Sequence, residues 1–344
     1  MNHMLKSAKS RLRDAVGETM RATGLTSPAL WAKDKLTIVT FHRVLPADLL
    51  ATYPMPEIVV TPDELDHFAK VLKQHYTVGT LRDMALRHNK GAPVGKPLLA
   101  ITFDDGQADN YLFARPVLQA NEVHASFFVV TDAVESNHTL WHDRMGYAVQ
   151  RAIDVSANGL QVWLQDIGVP SEAQNLPKAA VAEAKKLTPD QREDHLQALE
   201  NLIGGPTRPT WDGMMTWDQL RTLQSEGHEI GSHSASHPIL PLVPDAALSP
   251  EIEGSRATLE RHLNQVVHSF CYPNGDHDQR VIEAVRAGGY QHAVSTRYGV
   301  NAAHADPFAL RRIDLQGRFG RNARGAFSSG ALMMRMSGQL PGAA

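Results

Sequence analysis

Short apolar runs alternate along this chain with longer segments of helical period. Leu36-Thr37-Ile38-Val39-Thr40-Phe41 is the first run, rich in β-branched and aromatic residues, and it predicts a strand. A second is predicted at 97–103, where Leu98-Leu99-Ala100-Ile101-Thr102-Phe103 is apolar without alternation, the mark of a strand covered on both faces. Further strands are predicted at 125–130, Glu229–Ser232, Ser269–Tyr272 and His292–Thr296. Helices fall between them. Thr61-Pro62-Asp63-Glu64 opens one, with Thr as N-cap, Pro at the first helical position and Glu at the third. Another is predicted around 110–120. Thr216-Trp217-Asp218-Gln219 caps a third, which stops near Gly227, and two more are predicted at about 249–263 and 278–288. Strands and helices in alternation mean parallel strands with crossover helices, so the class is α/β.

The rhythm breaks from about 143 to 213. This stretch is rich in Ala, Glu, Lys, Gln and Leu, with a helical period in 179–203, and reads as a mainly helical insertion. It is either a lid or rim over a site or a plain surface excursion. After about 318 the chain carries Arg318, Arg321 and Arg324 among Gly and Ser, which predicts a loosely ordered, mildly basic end that turns helical around Leu332–Met336. At the front, Leu5, Ala8, Leu12 and Val16 share one helical face among basic residues. That is a helix packed on the domain or a weak anchor on an anionic membrane surface. The expected organisation is an N-terminal amphipathic segment at 1–35, a domain at 36–315 carrying the insertion, and a tail at 316–344.

Composition narrows the function classes. The 344 residues, 42% of them hydrophobic, suffice for one large α/β domain and exclude wholesale disorder. A net charge of −3, from 34 basic and 37 acidic residues, gives no nucleic-acid footprint. Cys271 is the one cysteine, so no intramolecular disulfide forms, and its apolar surroundings make it a small buried hydrophobe. No apolar run reaches the length of a membrane span, and Met1–Gly24 lacks the apolar centre of a secretory signal. The expected location is cytoplasmic, with peripheral contact at the inner membrane face through the N-terminal segment.

Candidate chemistry gathers at strand ends. The run 98–103 stops in Asp104-Asp105-Gly106, and an α/β barrel keeps its chemistry at the carboxyl ends of its strands. Adjacent acids raise each other's pKa unless a cation holds one of them ionised. Taken alone, the same triplet is a turn with Asp104 as a helix cap. His233-Ser234-Ala235-Ser236-His237 follows a short strand, and two imidazoles four apart can meet one cation from a helix or a tight loop. With one carboxylate they make a facial triad open to water and substrate. Such a spacing alone is weak in a chain with 17 histidines, but here it falls at the same barrel end as the paired acids. Tyr272-Pro273-Asn274-Gly275 forces a turn after another strand, either a plain β-turn or one that aims a backbone N–H at an oxyanion.

Thr102-Phe103-Asp104-Asp105-Gly106, His233 to His237 and Phe270-Cys271-Tyr272-Pro273-Asn274-Gly275 resemble the first three motifs of the polysaccharide deacetylases, the NodB-homology carbohydrate esterases. The resemblance runs over about 36–315. It implies a distorted (β/α) barrel of about seven strands, with a helical insertion in this chain, and one divalent metal ion used to remove acetyl from an amino sugar. By position it implies Asp105, His233 and His237 as metal ligands and Asp104 as the general base. It places the Asn274 N–H at the oxyanion, with Tyr272 and Trp141 on the substrate side. Two nitrogens and one oxygen suit zinc first, and also cobalt, nickel, manganese or iron.

The chain departs from the pattern in two places. The third motif has Cys271-Tyr272 where the family's base-orienting arginine belongs, and the late Leu-x-His motif of the acid histidine is absent. Phe41-His42-Arg43-Val44 resembles the strand-end histidine of relatives with permuted motif order. His42 is therefore the expected acid, against a plain rim histidine. Arg43, or Arg312 in Leu310-Arg311-Arg312-Ile313, is the expected replacement for the arginine. Trp141-His142-Asp143 and Trp217 line the sugar site or simply pack. The expected activity is deacetylation of an N-acetylated sugar on a polysaccharide or lipid-linked precursor, as in exopolysaccharide biosynthesis. The alternatives are hydrolysis of another amide or an O-acetyl ester, and a non-catalytic sugar-binding barrel.

Overall fold

Seven parallel strands close into a ring. They are β1 (Lys35–Phe41), β2 (Leu98–Phe103), β3 (Ser126–Val129), β4 (Glu229–Ser232), β5 (Ser269–Cys271), β6 (His292–Tyr298) and β7 (Leu310–Asp314). Each pairs with the next, and β7 returns to β1 through Val39 opposite Ile313 while β1 also pairs β2 from Leu36–Leu98 to Phe41–Phe103. This is a computed structural model, and it describes residues 16–337 apart from 18, 20, 21, 92–94 and 138.

The ring is distorted at two seams. At its amino-terminal end β2 pairs with a short strand at Thr77–Gly79, and it meets β3 only through Thr102 and Phe103. Likewise β1 carries an antiparallel pair with Asn301–Ala302 at Lys35 and Leu36 and meets β7 only further along. Side chains alternate across the wall as pleating requires. Leu36, Ile38, Leu98, Ala100, Phe128, Cys271, Val294 and Leu310 form one buried cluster, completed by Leu81, Met84 and Ala85 of a helix at Leu81–Asn89. Their neighbours Val39, Phe41, Leu99, Ile101, Phe103, Phe127 and Phe270 face the surrounding helices in a larger cluster.

Most predicted elements are present. The helix α1 (Pro62–His75) has the reciprocal Thr61–Glu64 cap, Thr216 caps a helix at Trp217–Ser225, and Asp278 caps one at Gln279–Ala287. The helix predicted near 249 begins earlier and runs through Asp245–Ser249, Pro250–Gly254 and Ser255–Leu263. β7 and the helix at 81–89 have no counterpart in the sequence prediction.

The insertion is helical: α2 (Trp141–Asp154) is followed by helices at Leu160–Asp166, Leu176–Ala184 and Pro189–Leu202. It owns a separate apolar cluster around Met145, Val149, Trp163, Leu196 and Leu199, which Leu45, Tyr53, Met55 and Val59 also join. The tail corrects an expectation. Ser329–Met336 is a helix whose Leu332, Met333 and Met336 are buried in the main cluster, so it packs rather than trailing into solvent. At the front, Leu5, Ala8 and Leu12 of the amphipathic face lie outside the described residues, and Val16 is 44% exposed. Among the described residues no helix is long and apolar enough to cross a membrane.

Candidate active site

The turn after β2 separates its two acids. Asp105 has φ 74° and Gly106 φ 77°, the left-handed region, which a non-glycine residue adopts at a cost. The flip sends the carboxylates apart although they are neighbours in sequence. Asp104 accepts from Arg312 at both oxygens, Nη1 to Oδ1 and Nη2 to Oδ2 at 2.7 Å each. The guanidinium is itself fixed by donation to Ser295 O at 2.9 Å and to the Thr40 and Thr102 hydroxyls at 2.9 and 3.1 Å. Burial alone would push the Asp104 carboxyl up, but the charge and hydrogen bonds of Arg312 hold it below the usual carboxylate range.

Asp105 turns to the histidines. Its Oδ1 lies 3.4 Å from Nε2 of His233 and 3.4 Å from Nε2 of His237. The three side chains are buried and offer ligand atoms that all lie within 4.8 Å of one another. His233 Nδ1 is 2.8 Å from the Cys271 carbonyl, so Nδ1 carries the proton and the Nε2 lone pair faces inward. Burial works against an ionised Asp105, yet the two histidines hold its carboxyl well below the usual range. Burial also pushes His237 down to about 4, which keeps its ring neutral.

The two histidines share a tight loop, not a helix. Ser234 and His237 have φ 65° and 62°. The serines do more than leave room: Ser232 Oγ accepts the Ser234 amide at 3.2 Å and Ser234 Oγ accepts the His237 amide at 3.0 Å. Glu251 closes the loop from outside, its Oε2 accepting the amides of Ala235 and Ser236 at 3.0 and 2.9 Å.

The remaining predicted residues divide. His42 follows β1 and borders the same cavity, its Nε2 3.7 Å from Asp104 Oδ2. Asn274 sits in the turn after β5 with φ 59°, and the turn's own hydrogen bonds are donated by the amides of Gly275 and Asp276. Gly275 is obligatory there, since a Cβ would stand 2.1 Å from Thr296 Oγ1 at φ +82°. Tyr272 borders the cavity, but its hydroxyl donates to the Phe308 carbonyl at 2.8 Å and its amide to Val294 O at 3.1 Å. Both polar groups are thus engaged within the fold, and Tyr272 meets the cavity without a free donor.

Of the two candidate arginines, Arg312 reaches Asp104 and Arg43 does not. Arg43 is fully buried elsewhere, donating to Asp109 at 2.6 Å, Asp143 at 2.7 Å and the Trp211 carbonyl at 2.7 Å. Its fork is spent holding the insertion to the strand end. Trp217 takes the packing alternative: its ring stacks on His262 with centroids 3.9 Å apart, and it does not border the cavity.

The cavity has a volume of about 210 Å³, and the insertion supplies one wall of it. Trp141 and His142 stand there, His142 Nε2 3.7 Å from Asp105 Oδ2, and the Trp141 indole donates to the His237 carbonyl at 3.1 Å. Burial pushes His142 down to about 4. Val181, Ala182 and Lys185 complete the wall. No local signal marks Lys185 or Glu251, because a lysine or glutamate on an amphipathic helix reads as solvated.

A sequence profile described as polysaccharide deacetylase matches residues 91–293, more than half of the chain. The Bacillus subtilis protein YxkH, named as a polysaccharide deacetylase, is 25% identical over 198 residues, covering 57% of this chain and 63% of that relative. The chain thus spans less than two thirds of its relative's length. The fold resembles the Streptococcus pyogenes deacetylase PplD, solved in complex with acetate, with a TM-score of 0.55 at 18% identity over 85% of this chain and 96% of that one. It also resembles IcaB from Ammonifex degensii, with a TM-score of 0.53 at 18% identity over 82% and 92%. Barrel, paired acids, histidine loop and profile agree, and the chain belongs to the polysaccharide deacetylase family.

Proposed function

We propose that this protein is a metal-dependent hydrolase that removes acetyl from an N-acetylated sugar of a polysaccharide or glycolipid precursor. One observation carries the reading. A three-donor set of Asp105, His233 and His237 shares a cavity with a second carboxylate held by a buried arginine, and with a histidine at its edge.

The donor set fits a divalent cation. Asp105 Oδ2 is buried without a hydrogen-bond partner, and an unsatisfied carboxylate oxygen beside two buried imidazoles suits a cation. Such an ion supplies Lewis acidity, making water more acidic and the acetyl carbonyl more electrophilic. Asp104, kept ionised and aimed by Arg312, takes the proton of the attacking water. The Asn274 amide supports the negative oxygen of the tetrahedral intermediate. As the C–N bond breaks, His42 gives its proton to the departing amine. The proton on Asp104 then restores His42, 3.7 Å away, so the cycle closes with acetate and free amine. Acetate is also the molecule described with the Streptococcus relative.

Acetate release over a panel of N- and O-acetylated sugars, together with metal analysis, tests this reading. About one divalent ion per chain and release from N-acetylated sugars are expected. Asp104→Asn should lower kcat on the order of 10²–10⁴-fold with metal retained. Full turnover by that variant removes Asp104 as base. A protein with neither metal nor acetate release is a sugar-binding barrel instead.

A further inference from the structure

A second cavity of about 460 Å³ adjoins the first, in the size range that holds a small-molecule ligand. His42, Ile58, Lys185, Asn274 and Thr296 border both, so a group in the second lies beside the bond cleaved in the first. Lys185, Arg318 and Arg335 bring three cations to its wall. Arg312 also borders it but is neutralised by Asp104. Asp314 is the one carboxylate in that wall; it accepts from Gln316 at 2.6 Å, and its single charge acts on Arg312 and Arg335 together.

None of the three cations has an ion pair among the described residues, and Arg335 Nε is buried with no acceptor. By contrast Arg43 is satisfied by Asp109 and Asp143, Arg144 by Glu193 and Glu200, and Arg192 by the Ala184 and Leu187 carbonyls. Desolvation bears on Lys185 and Arg335, lowering the pKa of each. The guanidinium of Arg335 stands 4.3 Å from the Phe319 ring centroid and 5.1 Å from that of Tyr298. Arg318 stands 4.9 Å from Phe319. These rings fix the directions of two forks without cancelling their charge. Lys185 and Arg335 are half-buried in this cleft without an ion pair, a costly placement that an anion offsets, and the exposed Arg318 adds its charge from the solvent side.

We propose that this second cavity is an oxyanion subsite, which takes a phosphate or carboxylate group carried by the substrate next to its acetylated sugar. The proposal rests on the deacetylase reading for the place of the acetamide. The shared chemistry is a planar or tetrahedral oxyanion met by arginine forks and a lysine. A sugar phosphate and a uronic acid residue are the two sources that present it.

The full-length, metal-loaded protein is assayed with three probes: neutral diacetylchitobiose, N-acetylglucosamine 1-phosphate, and a disaccharide of N-acetylglucosamine and glucuronic acid. The expected result is a higher kcat/KM for an anionic probe, and whichever anion is preferred identifies the source. Arg318→Gln and Lys185→Gln should each lower the ratio of anionic to neutral kcat/KM by about tenfold through KM, the loss of one charge-assisted contact. Equal use of all three probes, or an equal loss on all of them in both variants, overturns the proposal. Calorimetric binding of glucosamine 1-phosphate needs no turnover and separates the two readings. If no probe yields acetate but this ligand binds, and binds more weakly to Arg318→Gln, the subsite stands and deacetylation falls. If acetate appears without preference or binding, the reverse holds.

Discussion

Arg312 donates to both oxygens of Asp104 and is fixed by Ser295 at Nε and by Thr40 and Thr102 at Nη1, which makes it a positioning residue. Lysine keeps the charge but is a single point on a flexible stem, so it cannot aim both carboxylate oxygens. Arg312→Lys is therefore expected to lower kcat by about 10²-fold, the scale of a misplacement near 1 Å, with KM and bound metal little changed. Assays over a substrate series with metal analysis check this; a fall in metal content equal to the fall in kcat would make its role structural. Sequence reading could name Arg312 only beside Arg43, since nothing in a strand-end arginine tells which carboxylate it meets. The paired acids and the histidines were legible because the two signals, each weak alone, fall at the same end of the predicted barrel and match the motifs of one family. Which group Tyr272 offers the cavity was not legible, because a tyrosine hydroxyl finds its partner through the fold, here Phe308 on a distant loop.

At the scale of elements, legibility followed apolar pattern. β1, β2, β3 and β5 were readable because their runs are largely apolar and bounded by turn residues. β7 was not, because Leu310-Arg311-Arg312-Ile313-Asp314 puts a buried arginine where a strand shows an apolar residue, and that arginine serves the site. The histidine loop shows a second limit. Its spacing was clear, but the brace is Glu251, on the Asp245–Leu263 helical segment. Removing that brace leaves the Ala235 and Ser236 amides without their acceptor and frees a loop that holds two left-handed residues. Glu251→Ala should weaken zinc binding by about 10–100-fold, the range seen when supporting partners of metal ligands are lost. Competition with a chelator measures it, and far-ultraviolet circular dichroism should stay unchanged. Affinity equal to wild type would mean that Ser232 and Ser234 hold the loop unaided.

The molecule as a whole joins the apolar clusters of the barrel to that of the insertion, and a buried charge network lies at the junction. Arg43 stands at the end of β1, Asp109 after the paired-acid turn and Asp143 in α2, with the Tyr53 hydroxyl on Asp143 at 2.5 Å. His42 and His142 are the chain neighbours of Arg43 and Asp143, so the network also fixes two groups of the cavity. Burial pushes both carboxyls up despite Arg43, which marks how much depends on that one cation. Arg43→Met would strand two carboxylates in the interior, and loss of one partner of a buried pair costs about 3–5 kcal/mol. Against a typical stability of about 5–15 kcal/mol this is a large share. Asp143→Asn should cost less, about 1–3 kcal/mol, because Arg43 keeps Asp109 and the amide oxygen still accepts a hydrogen bond. Urea unfolding of both variants tests the ordering. Because the clusters are distinct, Arg43→Met is also expected to split the transition, with tryptophan fluorescence from Trp163 and Trp211 in the insertion's cluster changing at lower urea than helix content. A loss under about 1 kcal/mol, with one coincident transition, would mean that apolar contact through Leu45, Tyr53, Met55 and Val59 docks the insertion by itself and that the buried ions serve only to aim the histidines.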